Sequence, residues 1–202
     1  MNAVPRGPSE VWLRGNLRVA AVLTCAGLFL DGLAVAPLLV AILGSGNATP
    51  WWIVAAVVCG ASTTMLLLAW AASRPRLVRE GSTLVVQVSP LVRETVPLEI
   101  VECFFPGSTP IDAAGAATCG EHAVFRVGTL VVRLAERAVD HRARTTFRPW
   151  VSWEDGSIAF DGRWCEPLTP ARARELGEKL VVAKRSLRDA AVAGGPAVGG
   201  PR

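Results

Sequence analysis

The stretch that decides the fold is VAAVLTCAGLFLDGLAVAPLLVAIL, Val19 to Leu43, with WWIVAAVVCGASTTMLLLAWAA, Trp51 to Ala72, following after seven intervening residues. The second run carries no charge and the first a single acid, Asp31. About 20 apolar residues wound as a helix match the ~30 Å hydrocarbon core of a bilayer. The pair therefore reads as a transmembrane helical hairpin over residues 19–72, with spans 19–43 and 51–72. Outward from it, residues 1–18 are expected to form a cytoplasmic N-terminal segment, 73–190 a separate cytoplasmic domain and 191–202 a disordered Gly/Pro-rich tail.

Composition agrees with this division. The 202 residues are 51% hydrophobic with a formal charge of +4, and the apolar excess sits in the first third. Such mild basicity suits an anionic leaflet. No basic run interleaved with aromatics is present, so no nucleic-acid partner is expected. Arg6, Arg14 and Arg18 precede the first span and Arg74, Arg76 and Arg79 follow the second, whereas Gly44 to Pro50 is uncharged. The positive-inside rule then sets both termini in the cytoplasm, as a multi-pass protein of the cell (inner) membrane. Trp51 and Trp52 at one end of the second span and Trp70 at the other fit an interfacial belt. A cleaved signal peptide ending near Ala34-Val35-Ala36 is the rival reading. It suits poorly a 25-residue span that contains an acid and is followed at once by another.

Five scattered cysteines, Cys25, Cys59, Cys103, Cys119 and Cys165, imply no disulfide framework and fit a reducing compartment. Inside the hairpin, reflection about the shared turn sets Asp31 opposite Thr63, near the midplane, where a charged group costs about 2.5–3.5 kcal/mol. Asp31, Ser62 and Thr63 are thus expected to form an intramembrane polar contact within the cluster Gly60 to Thr64. Its role would be to pin the two helices or two copies of the chain, or to serve a proton or ion site in a larger bundle.

Beyond Ser73 the chain reads as strands followed by one helix. Thr83 to Val88 is a β-branched run, and Arg93 to Phe105 is extended with a break at Pro97. Residues 106–120 read as a long loop. Strand character returns at Ala123 to Val127, Thr129 to Leu134, Thr145 to Trp153 and Ser157 to Phe160, with Asp155-Gly156 as a hairpin signal. Thr169-Pro170 opens a helix to about Ala190, with Leu176, Leu180, Ala183 and Leu187 on one face.

This layout resembles bacterial two-span membrane proteins carrying a bacterial pleckstrin-homology-like (PH-like) domain. The residues that carry the likeness are Glu80-Gly81 before the first strand, Val96-Pro97-Leu98-Glu99-Ile100-Val101-Glu102 in the second, and the helix after Trp164-Cys165-Glu166-Pro167-Leu168. The resemblance implies an α+β domain, an antiparallel β-barrel or sandwich closed by a C-terminal helix. It also implies an interaction or scaffold role without enzymatic activity, cofactor or catalytic residues. The loop Ser89 to Glu94 holds one Arg beside a Glu, which speaks against phosphoinositide binding.

Two further groups of residues carry chemistry of their own. Cys119 and His122 have metal-ligand spacing, and Cys103, His141 or Cys165 are candidates to complete a zinc site for a metal-dependent enzyme. A single C-x-x-H without a second pair is a weak signal, and no metal is expected. Arg137, Arg142, Arg144 and Arg148 form the densest basic stretch and a candidate lipid-facing patch, each Arg worth roughly 1 kcal/mol toward anionic lipid. The expected partners are the bilayer and other membrane proteins or a second copy. The leading expectation is a scaffold at the membrane; the runner-up is an accessory subunit of a transport or export complex that uses Asp31.

Overall fold

A computed structural model describes residues 9–44, 47, 49–110, 126–144, 146–147 and 150–193. It divides into two compact units: Arg14–Arg74, and the chain before that segment together with the chain after it.

The first unit is an antiparallel pair of helices, α1 (Leu17–Leu43) and α2 (Thr49–Ser73). Asn16 starts α1, its side-chain oxygen accepting from the amides of Arg18 and Val19 at 3.1 and 3.2 Å. Both helices are long and apolar enough to cross a membrane. Their packing inverts that of a water-soluble core. Most buried positions recur every seven residues and are small, Ala20, Gly27, Ala34 and Ala41 on α1 and Ala55, Ser62 and Ala69 on α2, with Pro37, Ala71 and Ala72 buried besides. Phe29, Leu33, Ile42, Ile53, Val57 and Leu67 point outward instead. In water that arrangement would expose the driving force for collapse; in lipid, small residues at the seam let two backbones approach closely. The ends of the pair also meet, because a Cβ on Gly15 would lie 2.1 Å from the carbonyl oxygen of Ala72.

The second unit is α+β. Strands β1 (Ser9–Leu13), β2 (Leu77–Glu80), β3 (Thr83–Gln87) and β4 (Arg93–Pro97) form one antiparallel sheet in that order. A single 3-10 turn, Leu98–Ile100, leads to β5 (Val101–Pro110). The second antiparallel sheet then runs β5, β6 (Arg126–Leu134), β9 (Ser157–Asp161), β8 (Val151–Glu154) and β7 (Thr146–Phe147). One-turn helix α3 (Val139–Arg142) lies between β6 and β7, and α4 (Pro170–Ala193) closes the unit. The two ladders are separate and no closed barrel forms among the described residues, which corrects the barrel expectation.

Several boundaries depart from the sequence expectation. The N-terminal segment contains β1, which pairs with β2 from Ser9 opposite Glu80 to Leu13 opposite Leu77. The loop expected from Pro106 begins later, since β5 stays paired with β6 through Pro110; residues 111–125, including Cys119 and His122, lie outside the described part. Thr145 to Trp153 is not one strand, because β7 and β8 form a pair. Trp150 precedes β8 and is buried together with Trp153. The turn Asp155-Gly156 is as expected, with φ of 48° and 73°, the left-handed values a two-residue hairpin needs. α4 buries Ala173, Leu176, Leu180 and Ala183 and continues three residues beyond Ala190.

The two sheets share one core. Trp12 of β1 meets Phe104 of β5 edge-on with ring centroids 6.0 Å apart, and both are buried. α4 ties both sheets: Arg172 donates to the Trp12 carbonyl at 2.8 Å, Lys179 pairs with Glu10 at 3.3 Å, and Lys184 donates to the Val101 carbonyl.

Candidate functional site

The polar contact expected between the two helices is rearranged in the structure. Ser62 lies at the helix seam, its hydroxyl donating to the Gly27 carbonyl at 2.9 Å. Thr63 faces outward and donates to Cys59 of its own helix at 2.8 Å. Asp31 is exposed on the outer face of α1, with no hydrogen bond or ion pair among the described residues. The close contact sets residue 62 beside 27, whereas reflection about the turn set 63 beside 31. Small residues dictate this register, since Gly27 leaves room for Leu66 and Ser62 where Asp31 would not. At the end of α2, the Arg74 guanidinium stacks 4.0 Å over Trp70, a pairing that suits a headgroup boundary.

The basic stretch is divided among separate surroundings. Arg144 is ion-paired with Glu94 at 2.6 Å and lies 5.6 Å from the Trp153 ring. The side chain of Arg142 and all of Arg148 lie outside the described residues. Arg137 instead joins a recess of about 290 Å³ lined by Glu99, Arg137, Lys184, Leu187, Arg188 and Ala191. A second recess, about 470 Å³, shares Glu99, Arg137 and Lys184 and adds Glu102 and Glu136. Arg137 donates to the Glu99 carbonyl at 3.2 Å. Burial lowers the pKa of Lys184, and the neighbouring Arg137 and Arg188 push it the same way. Lys184 and Arg188 stand four residues apart on the same helix, while Arg137 enters from the connection after β6. In the sequence Arg137 stands with the basic residues that follow it, far along the chain from Lys184 and Arg188. The only local signal was a pair of like charges at i and i+4, which isolated helices disfavour.

A second feature was not legible from the sequence. Arg76 is fully buried, its Nε donating to the Trp164 carbonyl at 3.1 Å and its guanidinium lying 4.0 Å over the Trp150 ring. Both terminal nitrogens lack a hydrogen-bond partner among the described residues. Cys165 is buried nearby, and burial pushes its thiol up to about 12, only partly offset by Arg76. The thiol is therefore held protonated at neutral pH. His141 stacks on Trp153 at 6.4 Å, and its carbonyl accepts from the Trp153 indole at 2.8 Å. No group of three or more metal-ligating side chains occurs among the described residues. No family model, curated protein or solved structure matches this chain.

Proposed function

We propose that this chain is a non-enzymatic integral membrane protein of bacterial type that presents a PH-like interaction domain at the cytoplasmic face of the cell membrane. The observation that carries the reading is the β1–β2 ladder. Strands paired from Ser9–Glu80 to Leu13–Leu77, with one irregularity between Val11 and Leu13, precede and follow a hairpin whose large apolar side chains face outward. A bilayer cannot pass between two hydrogen-bonded strands, so Leu13 and Leu77 belong to the same side. The arginines flanking both helices then favour the cytoplasm. The domain's own features suit recognition more than turnover: its buried thiol is protonated, and its charged groups form surface recesses.

The test joins topology to partner capture. Retention in the membrane after an alkaline carbonate wash, with carboxyl-terminal reporters active only in the cytoplasm, is expected. Extraction by that wash, or a reporter active only outside, would overturn the reading. A photo-crosslinker on the domain should give a discrete adduct in native membranes, and stoichiometric zinc on the purified protein would restore the enzyme alternative.

Asp31 supports a second reading, an accessory subunit within a larger helix bundle. An acid on the outer face of a membrane helix is costly unless another helix or a second copy covers it. Asp31→Asn should then impair a transport phenotype at unchanged protein level; unaltered transport and assembly would dismiss it.

A further inference from the structure

Arg172 and Lys179 are the cations of α4 that form ion pairs among the described residues. Arg172 pairs with Glu166 and Glu175, and Lys179 with Glu10 and Glu175. Lys184 and Arg188 have no carboxylate within 4.0 Å among the described residues, nor has Arg137 beside them. Glu99 lines the same recess, yet its carboxylate pairs with none of the three. Three cations gathered at one recess repel each other, and although Glu102 acts on Lys184 from the adjoining recess, no carboxylate among the described residues forms an ion pair with any of the three. We infer that the recess bounded by Arg137, Lys184 and Arg188 binds a single phosphate group, carried by a lipid headgroup or by a soluble phosphate ester.

The donor set fits that chemistry. Two guanidinium forks match phosphate oxygens in pairs, and an ammonium adds a point charge. The 290 Å³ volume accommodates one phosphate and the start of its substituent. A second phosphate would meet Glu99, Glu102 and Glu136 in the adjoining recess, which favours a singly phosphorylated group over a polyphosphorylated one. This inference goes beyond the scaffold reading and does not depend on a protein partner.

The experiment titrates inorganic phosphate into the full-length protein in maltoside micelles by calorimetry. Arg188→Gln is the main variant because Arg188 makes no side-chain hydrogen bond or ion pair among the described residues, so folding does not rely on it. Arg185→Gln, which removes an equal charge from the same helix outside the recess, is the control. Saturable binding is expected, weakened at least about tenfold by R188Q and unchanged by R185Q. No saturable binding, or equal losses in R188Q and R185Q, would overturn the site. Repeating the titration in phosphatidylglycerol nanodiscs separates the sources. A phosphate response abolished there shows a headgroup in the recess, and a response retained there shows a soluble phosphate as its ligand.

Discussion

Arg76 carries a full charge into the interior with one hydrogen bond and the face of Trp150 to hold it. Burial lowers its pKa, and its terminal nitrogens are without hydrogen-bond partners among the described residues. A cation so placed pays desolvation that no carboxylate among the described residues returns. Arg76→Met keeps the length and removes the charge, so the melting temperature should hold or rise. Arg76→Ala leaves a void beside Trp150 and should lower stability by about 2–5 kcal/mol; thermal unfolding in micelles compares the two. In the hairpin, Gly15 has no room for a side chain beside Ala72 and Arg74. Gly15→Ala is expected to cost about 1–3 kcal/mol, whereas Ser62→Ala, losing one interhelical hydrogen bond, should cost only ~0.6 kcal/mol. Detergent-induced unfolding of the hairpin measures both.

At the scale of elements, β1 and α4 hold each other through Glu10 and Lys179. The pKa of Glu10 is lowered first by the Trp12 indole N–H, at a geometry looser than a standard hydrogen bond, and then by Lys179. Its folded pKa thus lies below the ordinary 4.5. Above that value both the folded and unfolded states are ionised, and the contribution is fully present. As pH falls, the unfolded chain takes up its proton first, and the contribution is gone once the folded carboxyl is protonated too. Glu10→Gln should therefore lower the urea midpoint slightly at pH 7 and by less at pH 3. An equal deficit at both pH values would show that the pair does not act through this charge. The same helix displays why its buried face was legible and its recess was not. Leu176, Leu180 and Ala183 follow from helical spacing alone, while the company of Lys184 depends on where β6 delivers Arg137.

For the whole molecule, the central fact is that a membrane-length hairpin interrupts a β-sheet after its first strand. Trp12 lies before the hairpin and Phe104 after it, yet their rings meet in one core. Trp12→Ala should accordingly loosen both sheets, costing about 3–5 kcal/mol. Limited proteolysis should find new cleavage in β2–β6 while the hairpin stays protected. Cleavage confined to the first 13 residues would instead show that β1 is an appendage.

The sequence by itself determined what local spacing and solvent dictate. Two apolar runs of bilayer length, the Asp155-Gly156 turn and the apolar face of α4 each follow from residues near one another in the chain. Only the tertiary structure decided which small residues meet at the helix seam, why Asp31 faces outward, that β1 belongs to the domain, and which cations share a recess. Each of these joins positions far apart in sequence. Backbone approach at glycine and alanine, and ladder pairing across an inserted hairpin, choose among registers that a period of 3.6 or 2 leaves equally allowed.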